Sequence, residues 1–468
     1  MSDPQQTPPQ TETSTAPSAE PRSEGLWHGL FALVLVVYLA LGSYLVAILP
    51  LWGGVADEPI HFGYCKYIAV KGHLPALWDH ITDDLHYYYL APGAGEAAHH
   101  PPSYYLLGSL VCRAFLHTPL PVQNYAVRAM SLLLGFLSLC FLYPAFRLLL
   151  PRRPELAVAA VAFVAVFPQR LLMCSIIAPE ASGIFAASAA LWMFAHYRAT
   201  PQRWGWLWGA GAMAGMMALT KSTLLPFCVA FFVTALVLPL QSGLSRREKS
   251  LAIGGFILCG ALVCLWWYVR NIVEYGQLVP TSVTPGSLDT AVKVAGGPDM
   301  IALLFLPRGR FYYKLAVTGI FWYFWSPSDW IPAGLRPIFL AVAALTWIGA
   351  IVGIWWGRRR REPLLDSLWQ PILLPFLWAI PLLFIFYLRW TVTTCIQAHA
   401  EFGKFVMPVL GYLTLLLALG LNSLFGRRAA LLLVAFALFF VAWDLVAYHN
   451  LATVLIPAHA GDWTPPPY

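Results

Sequence analysis

Long apolar stretches follow one another along almost the whole of this 468-residue chain. A membrane-spanning helix needs roughly 20 predominantly apolar residues. Eleven stretches approach or exceed that length, and they cover residues 26–50, 122–148, 156–178, 181–198, 205–220, 222–241, 250–269, 334–356, 370–388, 405–424 and 429–449. Charged residues make up only 11% of the chain, whereas a soluble domain carries about 25%. The sequence therefore predicts an all-α polytopic membrane protein.

Short basic clusters between the apolar stretches predict the orientation of the chain. The clusters are Arg152-Arg153, Arg198 with Arg203, Arg246-Arg247 with Lys249, Arg358 to Arg361, and Arg427-Arg428. All of them fall on the cytoplasmic side, as the positive-inside rule requires, if residues 102–118 form a helix in the outer interface. In the alternative arrangement 102–118 crosses the membrane, which places Arg152-Arg153 outside. The net charge of +7 follows this pattern and indicates no nucleic-acid partner.

With 102–118 in the interface, the chain has about eleven spans and a cytoplasmic N-terminus. Residues 1–24, rich in Pro, Ser, Thr, Gln and Glu, predict a disordered cytoplasmic tail. Residues 25–450 form the transmembrane domain, and residues 451–468 form a short extracytoplasmic tail. Two extracytoplasmic loops are large, 51–121 and 270–333, and the aromatic second loop predicts another interfacial helix. Ionisable residues concentrate on this side, where we expect the chemistry.

The stretch "DEPIHFGYCKY" in the first large loop opens with two adjacent carboxylates, Asp57 and Glu58. Residues 57–72 have the periodicity of an amphipathic helix, on which Asp57 and His61 are one turn apart. An Asp before a first-turn proline is common at a helix start, where it caps backbone N–H groups. Capping needs only one acid and does not account for Glu58 or His61. A capping role and a catalytic role both stay open for Asp57.

Two other polar groups lie beside the apolar stretches on the outer side. The stretch "EAAHHPPSYY" contains His99 and His100, followed by Tyr104 and Tyr105. Paired histidines can bind a divalent metal ion, or they can be two solvated imidazoles. Glu180 lies at the outer junction of two predicted spans. An acid there is costly unless it is paired or hydrated, which favours a function, although acids also favour helix starts.

Four cationic residues lie near the predicted outer ends of spans: Lys221, Arg270, Arg310 and Lys404. A single basic residue at such a place usually anchors its helix by extending towards the headgroups. Several basic residues that converge on one cavity would instead bind a phosphate, for which Arg is suited by its bidentate geometry. Both interpretations are open from the sequence.

In the order of these motifs the chain resembles the GT-C membrane glycosyltransferases. The resemblance is to the branch of protein O-mannosyltransferases and lipid A aminoarabinose transferases, and to its bacterial relatives. It is carried by "DEPIHFGYCKYIAVKGHLP", "HHPPSYY", "RNIVEYG" and "AEFGKFVMP". In that family a polyprenyl-phosphate sugar, with its lipid in the bilayer, donates to an acceptor at the outer face. The resemblance implies a GT-C-like fold in the bacterial inner membrane, with an extracytoplasmic active site.

The resemblance also implies roles for individual residues. Asp57 corresponds to the main catalytic carboxylate, and Glu180 to an acid that is usually Asp in relatives. We therefore predict Asp57, Glu58 and Glu180 as catalytic, and His99 and His100 as candidate ligands of a possible divalent metal ion. The predicted contacts to donor or acceptor are His61, His100, Tyr104, Tyr105, Lys221, Arg270, Arg310 and Lys404. Relatives often carry Arg-Tyr where this chain has Lys404-Phe405.

The predicted activity is an inverting transfer of a hexosyl or pentosyl group to a hydroxyl of a glycan, lipid or protein. A carboxylate can take the proton of the attacking hydroxyl, and Arg and Lys can stabilise the leaving lipid phosphate. The alternative is a multi-span transporter or flippase for a lipid-linked or anionic substrate, which would carry charges near mid-span. The acids of this chain lie mostly at the outer boundary, with Asp444 as an exception.

Overall fold

The computed structural model describes residues 21–51, 58–77, 98–280, 330, 332, 334–394 and 401–458. Within these ranges the chain is helical with short connections, and it contains no β-strand. The all-α class is thus confirmed. The α-helices of at least six residues are α1 (Pro21–Ile48), α2 (Glu58–Lys71), α3 (Ser103–Ala114), α4 (Leu120–Leu149), α5 (Pro154–Ala165), α6 (Pro168–Ser175), α7 (Glu180–Ala199), α8 (Gly205–Ala218), α9 (Leu225–Gln241), α10 (Arg246–Tyr275), α11 (Arg336–Arg359), α12 (Pro363–Leu368), α13 (Leu374–Thr394), α14 (Leu410–Phe425) and α15 (Arg428–Asn450).

Among the described residues, eight helical segments are long and apolar enough to cross a membrane. They are Glu24–Ile48, Leu120–Leu149, Ser222–Gln241, Arg246–Tyr275, Arg336–Arg359, Pro363–Ile385, Gly403–Phe425 and Arg428–Leu455. A ninth candidate is the pair α5 and α6, which is bent by 58°. Pro168 opens α6 and cannot donate to the helical ladder, and the preceding Phe167 is extended, as residues before proline tend to be.

Each of the eleven predicted stretches coincides with one helix or with consecutive helices. Two of these helices, α7 and α8, are not among the candidate spans. Helix α8 has 14 residues, and at 1.5 Å per residue it is about 21 Å long, short of a hydrocarbon core of about 30 Å. Helix α7 begins with Glu180 and ends with His196 and Arg198, which lower its mean hydropathy. The number of spans therefore stays a prediction.

Helix α3 corresponds to the segment 102–118 that we expect in the outer interface. It has 12 residues, which makes it about 18 Å long and too short to cross the bilayer. Helices α2 and α3 pack on each other, on α4 and on the start of α7 through a small cluster of buried side chains. The motifs of the first large loop therefore fold into one helical layer beside the bundle.

The interior of the bundle is built around the segment Gly403–Phe425, whose apolar window is 94% buried. Helix α10 is peripheral, with 17% of its window buried. Glycines allow close contact at two helix crossings, where Gly211 and Gly215 of α8 meet the backbone of α10, and Gly353 of α11 meets Gly420 of α14. A Cβ at any of these positions would collide with a backbone carbonyl oxygen, so glycine is required there.

Candidate active site

Glu58, the first residue of α2, is fully engaged by Arg128 of α4. Arg128 donates from Nε to Glu58 Oε1 over 2.7 Å and from Nη2 to Glu58 Oε2 over 2.6 Å. The backbone N–H of Ile177 donates to Glu58 Oε1 over 2.9 Å. Glu58 is 2% exposed and Arg128 is 0% exposed. This bidentate pair fixes the start of α2, because breaking a buried pair leaves an uncompensated charge.

Arg128 also binds the end of α1. Its guanidinium donates to the carbonyl oxygens of Leu49 and Pro50 over 2.9 and 2.7 Å. One side chain thus joins both ends of the connection between α1 and α2. Asp57, the predicted main catalytic carboxylate, belongs to that connection and lies outside the described residues. Its role stays a prediction, while its neighbour Glu58 is held in place.

Glu180, the first residue of α7, forms a buried ion pair with Lys221. Lys221 Nζ donates to Glu180 Oε1 over 2.9 Å, and the two residues are 5% and 1% exposed. Burial by itself raises the pKa of Glu180, but the positive charges of Lys221 and Lys404 and the charge of His61 outweigh it. The pKa of Glu180 therefore lies below its ordinary value, so this side chain is an ionised carboxylate at neutral pH.

Lys404 brings a second ammonium group to the same place. It is buried, and its charge acts on Glu180. The ring of Phe405 lies beside both cations, with its centroid 4.9 Å from Lys221 Nζ and 5.5 Å from Lys404 Nζ. We call these four residues, Glu180, Lys221, Lys404 and Phe405, the Glu180 cluster. Its charged side chains carry one more positive than negative charge.

A group of histidine and tyrosine side chains from α2, from α3 and from the residues just before α3 lies beside this cluster. Tyr105 Oη lies 2.8 Å from His61 Nδ1, and the rings of His61 and His100 are 5.6 Å apart between centroids. Tyr64 stacks on Tyr105 at 4.0 Å and donates a long hydrogen bond of 3.5 Å to the carbonyl oxygen of His100. Three predicted binding residues, His61, His100 and Tyr105, thus contact one another.

The charges around His100 connect this group to the Glu180 cluster. Burial lowers the pKa of His100 well below its ordinary value, so that the ring is neutral at neutral pH. Nearby charges lower it further, and the groups that act in this way are His99, Lys221, His61 and Lys404. Because Lys221 and Lys404 act on both His100 and Glu180, the first-loop motif and the later cationic residues converge on one site.

The turn at residues 218–221, after α8, holds the lysine of the cluster, and we call it the elbow. At its centre, Thr220 Oγ1 lies 3.2 Å from the hydroxyl of Ser103 and 3.1 Å from the hydroxyl of Ser182. Tyr268 of α10 donates to an elbow carbonyl, that of residue 218, over 2.8 Å. The elbow is therefore tied to α3, α7 and α10, which fixes where its ammonium group can reach.

Two other predicted site residues make their contacts elsewhere. Tyr104 Oη lies 2.7 Å from Ser131 Oγ and so faces α4. Arg270 pairs with Glu274 over 2.9 Å, and its guanidinium lies over the ring of Trp267. Arg310 lies outside the described residues. The roles predicted for these three residues in binding stay predictions.

A metal centre is not formed by the residues that the structure describes. No group of three or more histidine, cysteine, aspartate or glutamate side chains among them could hold an ion. The rings of His99 and His100 lie 4.0 Å apart between centroids, and these two side chains supply two nitrogen ligands at most. The described residues therefore do not fit a bound divalent metal, and no chemical step is assigned to one.

The fold is similar to that of the solved structure of another protein, ArnT from Cupriavidus metallidurans. The apo structure of ArnT from Cupriavidus metallidurans is 14% identical to this chain and has a TM-score of 0.52. The similarity covers 94% of this chain and 79% of ArnT. The chain has a GT-C-like fold. The fold predicted from the sequence motifs is thus confirmed, and at this identity the similarity shows the fold alone.

Two further solved structures are similar at lower TM-scores. ArnT bound to undecaprenyl phosphate is 15% identical, with a TM-score of 0.48 and coverage of 95% of this chain and 80% of ArnT. The Archaeoglobus fulgidus oligosaccharyltransferase, in complex with Zn and sulfate, is 14% identical with a TM-score of 0.49. That similarity covers 90% of this chain and 53% of the archaeal enzyme, so the chain spans about half of its length.

A sequence family also matches part of the chain. The family described as dolichyl-phosphate-mannose-protein mannosyltransferase matches residues 99–267, which is less than half of the chain. The matched range contains His99, Glu180 and Lys221. No curated protein sequence matches the chain. The resemblance to the mannosyltransferase branch, first seen in short motifs, is confirmed by this match.

Sequence reasoning missed Arg128 and the hydroxyls around the elbow. Arg128 lies inside the predicted span 122–148, and a charged residue within a span is a signal of function or of a buried partner. The sequence contains that signal, but it does not show that the partner of Arg128 is Glu58. Thr220 and Ser182 are not conspicuous in the sequence. Single hydroxyl groups are common in apolar stretches, where they usually donate to a backbone carbonyl of their own helix.

Proposed function

We propose that this chain is a membrane glycosyltransferase, which transfers a sugar from a polyprenyl-phosphate donor to an acceptor hydroxyl. The observation that carries the proposal is the Glu180 cluster, in which two buried ammonium groups surround one carboxylate. Two ammonium groups that act on one place can bind the oxygens of a phosphate anion. The matched family is named for a dolichyl-phosphate sugar, and the fold is GT-C-like. Both findings support the same class of donor.

In the proposed reaction, the acceptor oxygen attacks the anomeric carbon as the bond from that carbon to the phosphate oxygen breaks. This single displacement inverts the anomeric centre. The proton of the acceptor hydroxyl passes to a carboxylate, for which we propose Asp57. The polyprenyl phosphate leaves with an added negative charge, which Lys221 and Lys404 would stabilise. Glu180 holds Lys221 in position through its ion pair.

Glu58 is better suited to positioning than to proton transfer. Both of its oxygens accept hydrogen bonds from Arg128, and one also accepts from a backbone N–H. We therefore propose that Glu58 fixes the segment that carries Asp57. The neutral ring of His100 and the phenol of Tyr105, whose oxygen lies 2.8 Å from His61 Nδ1, supply uncharged donors and acceptors, which suit the hydroxyl groups of a sugar or an acceptor.

The orientation predicted from the basic clusters places this site on the outer face of a bacterial inner membrane. The lipid part of the donor would lie in the bilayer, and the acceptor would be a glycan, a lipid or a protein. The transferred group would be a hexose or a pentose. These assignments rest on the charge pattern of the sequence and on the resemblance to the mannosyltransferase branch.

A second candidate function is transport or flipping of a lipid-linked or anionic substrate. One observation favours it: Asp444 is 1% exposed within a candidate membrane span, and neither of its carboxylate oxygens makes a hydrogen bond with the residues that the structure describes. Intramembrane acids often mark transport pathways. Purified protein in proteoliposomes would separate the two functions, since a transporter moves its substrate across the bilayer without an acceptor and forms no glycosylated product.

Substitution of Asp57 tests the proposed reaction. Asp57→Asn removes the proposed base with little change in shape, so we expect a loss of transfer of about 100-fold or more. The assay follows a labelled sugar from a polyprenyl-phosphate donor to product, with purified protein in detergent. Unchanged thermal stability of the variant serves as the control for folding. Full activity of Asp57→Asn would overturn the assignment of the base.

A further inference from the structure

Four consecutive arginines, Arg358 to Arg361, follow the tryptophan pair Trp355-Trp356 at the end of α11. Arg359 Cζ lies 3.9 Å from the ring centroid of Trp355, and Arg360 Cζ lies 4.5 Å from that of Trp356. Each arginine thus covers the tryptophan one helical turn before it. The two rings are 50% and 38% exposed. A guanidinium over an indole face is a favourable cation–π arrangement, and the pair is strongest on Trp.

The described acids near the end of α11 pair with only one of these four arginines. Arg358 forms an ion pair of 2.5 Å with Asp366. Glu362 turns away and accepts hydrogen bonds from Asn422 and from Ser423. Among the described residues, no carboxylate forms an ion pair with the next arginines along the chain, which are Arg359, Arg360 and Arg361. The end of α11 therefore carries an uncompensated positive charge beside two exposed indoles.

The backbone conformation at Arg361 ends the run of arginines close to the C-terminal end of α11. Arg361 has a φ of 53°, in the left-handed region that residues other than glycine rarely adopt. A glycine would take this conformation at lower cost. The chain turns there into α12, whose Asp366 pairs with Arg358 of α11, and the guanidinium groups of Arg359 and Arg360 stay over the two tryptophans.

We propose that Trp355, Trp356, Arg359, Arg360 and Arg361, the arginine–tryptophan patch, bind the phosphate headgroup of an anionic glycerophospholipid in the cytoplasmic leaflet. Tryptophan side chains prefer the headgroup level of a bilayer. A guanidinium that is already stacked keeps its outer N–H edge free for a phosphate and loses little freedom on binding. Basic groups just cytoplasmic of a span attract anionic lipids. This proposal is independent of the proposed sugar transfer.

The test measures how anionic lipid stabilises the purified full-length protein in detergent. Tm is recorded with added phosphatidylglycerol and, separately, with added phosphatidylcholine. We expect phosphatidylglycerol to raise the Tm of the wild type and phosphatidylcholine to leave it unchanged. The double variant Arg359→Gln/Arg360→Gln should lose most of that increase, and Arg359→Lys/Arg360→Lys should lose part of it, because lysine keeps the charge without the planar fork.

The matched control is Arg427→Gln/Arg428→Gln. These two arginines are also adjacent, exposed and predicted to be cytoplasmic, but no aromatic ring of the described residues lies under either guanidinium. The control should keep the full increase in Tm. An equal loss in the control, an equal increase with phosphatidylcholine, or an undiminished increase in the Arg359 and Arg360 variant would overturn the proposal. So would an increase of the same size with inorganic phosphate alone, which would identify a soluble ligand.

Discussion

At the scale of single residues, Glu180 supplies the negative charge of the candidate site. It is a buried carboxylate whose pKa lies below the ordinary value, because the cations around it outweigh the effect of burial. A buried ion pair adds little net stability, but the removal of one partner leaves the other uncompensated. The pair of Glu180 with Lys221 therefore predicts a strong coupling between the two side chains, whatever substrate the site accepts.

The coupling can be measured with three variants. Lys221→Met removes the cation that is hydrogen-bonded to Glu180, so we expect the free energy of unfolding to fall by about 3 kcal/mol. Lys221→Met combined with Glu180→Gln should cost less than the sum of the two single variants, because neither charge is then left alone. Thermal or denaturant unfolding of the purified proteins provides the measurement. Additive losses would contradict the ion pair.

The pH dependence of this pair follows from the direction of the pKa shift. A carboxyl group with a lowered pKa in the folded state contributes stability above its unfolded pKa of about 4.3, and that stability is lost as the pH falls through the folded value. The difference in Tm between wild type and Glu180→Gln should therefore be constant from about pH 6 to pH 8. Lys249→Met, which removes a lysine that donates to a backbone carbonyl, is the control for the loss of one positive charge in Lys221→Met.

At the scale of elements, the elbow after α8 connects three helices to one ammonium group. The hydroxyl of Thr220 is the shared contact, since Ser103 of α3 and Ser182 of α7 both reach it. Because the elbow carries Lys221, which donates to Glu180, the effect of Thr220 should pass through the position of Lys221. This makes Thr220 a positioning residue whose loss changes donor binding more than overall folding.

Thr220→Val removes the hydroxyl and keeps the shape of the side chain. We expect a several-fold rise in the KM for the donor, with little change in the KM for the acceptor, and recovery in Thr220→Ser. Thr346→Val is a matched control, because Thr346 is also buried and also donates to the carbonyl four residues earlier. An equal rise in both KM values, or the same effect in the control, would show that Thr220 has only a structural role.

Elements also show what the sequence could and could not predict. Apolar length located every candidate span among the described residues, because this signal depends on composition within one segment. The bend between α5 and α6 was not predicted, although Pro168 is visible in the sequence. The pairs Glu58 with Arg128 and Glu180 with Lys221 join residues that are far apart in the chain, so no local pattern could reveal them.

At the scale of the whole molecule, the GT-C-like fold brings the first-loop helices α2 and α3 against the start of α7 and the elbow. The long-range pair of Glu58 with Arg128 closes the connection that carries Asp57. Lys404 reaches the same site from a segment more than 180 residues further along the chain than Lys221. The sequence indicated Lys221 and Lys404 one by one and did not indicate Arg128, and the fold explains why both lysines act on Glu180.

The most direct test of the proposed function is a structure of the purified full-length protein with a bound polyprenyl phosphate. We predict that the phosphate oxygens lie within hydrogen-bond distance, about 2.7–3.2 Å, of both Lys221 Nζ and Lys404 Nζ. Asp57 should then be the carboxylate that faces the position of the departed sugar. A phosphate bound away from these lysines, with the Glu180 cluster unchanged, would contradict the account.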